Sequence, residues 1–176
     1  MRQILILVLA LWSSLCGGMS LADGGPVARV GGSGEFLELE YQANGQAAKE
    51  SLPLYRANGV RYFSAGVGIE ERTAEYPPFP LKLVFTAGGK PFLAGVSVTI
   101  QSAKGGPSIN IPGDHVNGPW LFVELPSGTY DLTAIYADRT QGLKGVRVEA
   151  GKMKTVYLRW PEDKAIVAPS GDAVGQ

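Results

Sequence analysis

Apolar and polar positions alternate along most of this chain, and the dominant period is two. In Phe36–Tyr41, Leu37, Leu39 and Tyr41 fall on one side and Glu38 and Glu40 on the other, as in a half-buried strand. Asn44-Gly45 and Asn58-Gly59 are hairpin-turn signals. Between them Ala48–Tyr55 is interrupted by Pro53, which suits an edge strand. Val60–Ser64 reads as the next strand. Residues 65–80 break the alternation: Gly66-Val67-Gly68 is followed by Ile69–Tyr76, one or two helical turns stopped by Pro77 and Pro78.

From Leu81 the alternation returns and holds. Leu81, Leu83 and Phe85 alternate with Lys82, Val84 and Thr86; Val96, Val98 and Ile100 alternate with Ser97, Thr99 and Gln101. Ser108–Ile111 is a short strand. Leu121, Val123 and Leu125 share a face, as do Tyr130, Leu132, Ala134 and Tyr136. Val146 and Val148 point inward from Lys144–Val148, and Val156, Leu158 and Trp160 close the series. Gly88-Gly89-Lys90, Ser102–Gly106, Ala137–Gly142 and Ala150-Gly151 are the polar linkers. Short strands at this spacing predict an all-β protein: a seven-stranded antiparallel β-sandwich over 81–160 with an N-terminal β-hairpin extension over 23–64 and an irregular lead-in, with a short helix, over 65–80. Residues 161–176 carry few large apolar side chains and read as a flexible tail.

The first 22 residues have the pattern of a signal peptide. Arg2 is the positive start, Ile4–Trp12 the apolar stretch, and Ser20-Leu21-Ala22 the small-residue cleavage site. The apolar stretch is shorter than the roughly 20 residues of a membrane span. Cys16 raises a lipoprotein alternative, but Leu15 stands where that signal carries Gly, Ala or Ser. The expectation is therefore a periplasmic or secreted protein beginning near Asp23, with no transmembrane span. Cleavage removes Arg2 and the only cysteine. What remains is nearly neutral, which argues against nucleic acid as a partner, and it has no thiol for a disulfide.

Leu125-Pro126-Ser127-Gly128-Thr129-Tyr130-Asp131-Leu132 joins two of the strands. Pro126 suits a turn corner, Gly128 admits a positive φ, and Tyr130 can bury its ring while its hydroxyl bonds a backbone group near the corner. Together with Gly95–Ile100, Gly118–Leu132, Val146–Val148 and Val156–Trp160, this motif resembles the carboxypeptidase regulatory-like domains, which are transthyretin-like (prealbumin-like) sandwiches related in shape to immunoglobulin domains. Tyr62–Gly68 ahead of Leu81–Phe85 is similar to the lead-in of small exported proteobacterial members. The resemblance implies a non-catalytic module that binds or scaffolds another envelope protein or polymer. It implies no peptidase chemistry.

Chemistry-bearing residues are sparse. His115 is the only histidine and sits beside Asp114 in a turn-rich loop; one imidazole falls short of a usual ligand set, so no metal or other cofactor is expected. No serine occupies a G-x-S-x-G elbow. The alternative to a binding module is a periplasmic hydrolase with a site near Asp114/His115 and Glu70/Glu71, with Arg72 beside them. A Lys–Asn crosslink of the kind found in Gram-positive adhesin sandwiches would draw on Lys82 and Glu124, but Met153–Trp160 offers no Asn or Asp as acceptor. The aromatic side chains Tyr62, Phe63, Tyr76 and Trp120, with Phe79, are either an interaction surface or core filler.

Overall fold

The computed structural model describes residues 24–88 and 93–161. The expected signal peptide with Cys16, and the expected tail from 162 onward, lie outside the described residues. Within them the protein is all-β. Twelve strands form three sheets: β1 (Val27–Val30), β2 (Phe36–Ala43), β3 (Gln46–Pro53), β4 (Tyr55–Ala57), β5 (Val60–Ala65), β6 (Leu81–Ala87), β7 (Ser97–Ser102), β8 (Ile109–Ile111), β9 (Trp120–Val123), β10 (Gly128–Tyr136), β11 (Arg139–Val148) and β12 (Lys154–Trp160). A single α-helix, α1, spans Ile69–Thr73, and Gly113–His115 makes a 3-10 turn.

All seven strands expected after residue 80 are present, but seven is not the count of the sandwich. The two facing sheets are β12-β6-β9-β5-β4 and β11-β10-β7-β8. The expected seven-stranded unit thus gains β4 and β5 from the segment taken as an extension. Tyr62 pairs with Val123 and Phe63 with Phe122, so β5 supplies the next place in the sheet beside β9. The expected all-antiparallel arrangement is also corrected, because β12 runs parallel to β6, from Lys154 opposite Leu81 to Trp160 opposite Ala87.

Both Asn-Gly pairs turn as their type demands. Asn44 and Gly45, and Asn58 and Gly59, all adopt positive φ, the type I′ geometry that matches strand twist. The linker expected at 137–142 is shorter than its composition suggests. Ala137 and Asp138 both take left-handed conformations, so the chain reverses in two residues and β11 starts at Arg139.

Two cores result, one on each face of the five-stranded sheet. The larger lies between the two sheets of the sandwich and contains Leu81, Leu83, Phe85, Leu121, Val123, Ile100, Leu132 and Trp160. Its open sides are closed by side chains at sheet edges. On one side the Trp160 indole donates to the Arg139 carbonyl at 3.1 Å and meets Tyr136 edge-on. The smaller core lies on the opposite face, under the three-stranded sheet β1-β2-β3, and contains Leu37, Leu39, Leu52, Phe63, Phe79 and Phe122. The five-stranded sheet is therefore a middle layer for part of its area.

At the β9–β10 corner the Tyr130 hydroxyl donates to the Pro126 carbonyl at 2.8 Å. Gly128 does not have positive φ. It is needed for space instead: a Cβ there would lie 3.3 Å from the Tyr130 ring.

Candidate functional site

The residues marked out by sequence fall into three separate places. His115 lies where the edge strands β4 and β8 of the two sandwich sheets approach. Its ring stacks on Tyr55 at 3.8 Å between centroids and 5° between planes, and its Nδ1 is 2.8 Å from the Tyr62 hydroxyl. Tyr62 is itself buried, and burial, with Tyr55 and Asp114 nearby, raises the pKa of its phenol. The hydroxyl thus stays protonated and shares a hydrogen bond with Nδ1. The ring acts as a plug at the seam of the larger core, and Asp114 beside it is exposed.

Glu70, Glu71 and Arg72 belong to α1. Glu71 is buried, and its carboxylate accepts from the backbone N–H groups of Gly66, Val67 and Gly68 at 2.7, 3.4 and 3.4 Å. The Arg72 Nε donates to the Gly66 carbonyl at 2.7 Å. These two side chains fasten the Gly66–Gly68 loop to the helix, which meets the need of unpaired N–H groups at a helix start. The loop must stay tight because Gly66, at φ +97°, lies against Trp120: a Cβ there would approach the indole to 2.9 Å. Among the described residues no hydrogen bond or ion pair joins the α1 group to His115, so the two halves of the expected hydrolase site do not converge. Glu50 on β3 lies close enough to Glu71 and Glu70 for their charges to add to burial in raising its pKa.

The aromatic residues weighed as an interaction surface or as core filler are divided between the two cores. Tyr62 and Phe63 are 1% and 0% exposed and face opposite sides of β5. Phe63 stacks on Phe122 at 4.6 Å and meets Phe79 edge-on. Tyr76 packs on both Phe63 and Phe122, donates to the Glu71 carbonyl at 2.8 Å, and has its pKa pushed well up by burial. Trp120 is half-buried. Over its ring, 3.2 Å from the centroid, sits the Lys82 ammonium. Burial lowers the Lys82 pKa to about 8, while the ring face favours the charged form. Glu124, the other residue of the crosslink comparison, pairs instead with Arg61 through two hydrogen bonds of 2.5 and 2.7 Å, which lowers the pKa of its carboxyl.

A further group was not singled out by the sequence pattern. The β7–β8, β9–β10 and β11–β12 loops meet at one end of the sandwich. They border an open cleft of about 580 Å3 lined by Lys104, Ser127, Thr129, Arg147 and Glu149. It adjoins a second depression of about 340 Å3 that shares Arg147 and Glu149 and adds Lys152, Met153 and Lys154. Arg147 and Lys152 hold separate oxygens of Glu149 at 3.4 and 3.1 Å. The legible signal was Arg147-Val-Glu149 with Lys152-Met-Lys154: charges on the wet positions of two strands flanking one turn, at Gly151 with φ +71°. A third depression, on the outside of the three-stranded sheet, has its charges matched by Arg29–Glu40 and Lys49–Glu40 pairs.

Searches of the chain against protein-family models, curated proteins and solved structures found no match. The functional reading therefore rests on the residues and their geometry.

Proposed function

We propose that this protein is an exported, non-catalytic β-sandwich module that binds or scaffolds another cell-envelope component through the loop end of the sandwich. The observation that carries the reading is the pair of adjoining depressions at that end, whose linings hold Lys104, Arg147, Lys152 and Lys154 and the single carboxylate of Glu149. Loops held by a rigid scaffold are where recognition concentrates. The Tyr130–Pro126 corner and the paired sheets support the likeness to carboxypeptidase regulatory-like domains, whose fold is compatible with many roles. Export rests on the signal-peptide pattern of residues 1–22. Weighing against the hydrolase alternative, His115 Nδ1 and the Glu71 carboxylate are both engaged by structural partners.

The test is co-sedimentation of the full mature chain with washed envelope fragments from a Gram-negative bacterium. Retention is expected, and it is expected to be lost in an Arg147→Glu, Lys154→Glu double variant and kept in His115→Ala. Equal retention of the double variant, or none by the unaltered chain, overturns the reading.

A further inference from the structure

Two open depressions adjoin at the loop end with Arg147 and Glu149 in the lining of both, and together they make a shallow trough lined from Lys104 to Lys154. We infer that this trough binds an anionic polysaccharide, a chain in which carboxylate groups alternate with hydroxyls. This inference rests on the binding-module reading above and gives it a ligand class.

Four cations gather here in a chain whose formal net charge is zero, so the trough is a local field that the bulk protein lacks. Among the described residues Lys104 and Lys154, near its two ends, have no ion-pair partner. Glu149 stands between them, with one oxygen toward Arg147 and one toward Lys152. A polymer that carries charge but no free hydroxyl on its units would meet that carboxylate as a repulsion. A sugar chain can instead place hydroxyls there, because a carboxylate accepts hydrogen bonds from them. Ser127 and Thr129 on the cleft wall add hydroxyls of their own that can donate or accept. Among the described residues no aromatic side chain lines either depression, which removes the stacking platform that single-stranded nucleic acid uses.

The probe is alginate, a polymer of uronic acids, titrated into the full mature chain by calorimetry, with neutral dextran and single-stranded DNA as comparisons. Alginate is expected to bind and to weaken as salt screens the contact. Dextran is expected not to bind, and DNA to bind less tightly than alginate. Arg147→Glu with Lys154→Glu is expected to weaken alginate by about tenfold or more. Lys104→Glu, a separate exposed substitution, is expected to weaken it too, which guards against misfolding of the first variant. No alginate binding, tighter binding of DNA, equal binding of dextran, or unaltered affinity in both variants overturns the inference. Envelope retention that depends on Arg147 and Lys154 but is not competed by alginate would refute the ligand class alone. Retention indifferent to those residues would refute the docking end itself.

Discussion

The two faces of the five-stranded sheet are built on different plans. Toward the four-stranded sheet the face is uniformly apolar: Leu81, Leu83, Phe85, Leu121, Val123, Val156, Leu158 and Trp160 are all 5% exposed or less. Toward the three-stranded sheet it is mixed. Phe63 and Phe122 form a stacked pair, Trp120 lies against Gly66 and the Lys82 ammonium, and among the described residues the buried Thr86 hydroxyl has no hydrogen-bond partner. The first face holds the sandwich together mainly by buried area, with the Tyr62–His115 and Trp160–Arg139 hydrogen bonds at its margins. The second holds a small sheet and a loop in place through a few specific contacts, and each of those contacts can be broken separately.

The sharpest way to break the comparison is at β9, which serves both faces. Phe122→Ala is expected to cost about 3–5 kcal/mol, measured by denaturant unfolding. Hydrogen exchange in that variant should speed first in β1–β3, with the protection of β10 nearly kept. Equal loss of protection in both layers would show that the faces do not act separately.

Gly66→Ala is the next largest. Its φ of +97° and the Trp120 indole at 2.9 Å from the new Cβ predict a loss of about 1–3 kcal/mol, with a change in tryptophan fluorescence. A silent spectrum would mean that the loop does not hold the indole.

Lys82→Met is the smallest and has the opposite sign. The lysine releases its proton near pH 8 in the folded protein, against 10.5 for the unperturbed side chain. Between those values the unfolded chain holds a proton that the native one has lost, so stability rises with pH and the cost of burying the charge is present in full below pH 8. Methionine keeps contact with the ring and removes that cost. A gain of roughly 1 kcal/mol at pH 7 is expected, after discounting for partial exposure and ring attraction. Across pH 8–10 the wild type should gain on the variant. If the two stability curves run in parallel, Lys82 is not desolvated by the fold.

Legibility followed the same division. The inner face could be read from period-two spacing, and so could both Asn-Gly turns and the Tyr130 corner. The outer core could not be read that way, although its signal was present. Trp120-Leu-Phe-Val123 is a continuous apolar run, the mark of a strand covered on both sides. Tyr62-Phe63 and Val84 beside Leu83 and Phe85 say the same. Reading those aromatic side chains as a possible surface ignored that run. The parallel partner of β6 was hidden for another reason: alternation reports which face a residue takes, never which strand lies beside it. The loop-end cleft escaped because charges alternating on either side of a turn, as at Arg147–Lys154, are ordinary solvated surface, and only the fold brings Lys104 and Ser127 beside them.

The parallel register of β12 on β6 has a consequence for assembly. Strand β6 waits for the last strand, so Leu83 and Phe85 keep one flank bare until Lys154–Trp160 arrives. Long-range pairing of this kind slows folding. A chain cut just before Lys154 would be left with an open, greasy sheet margin and a strong tendency to clump.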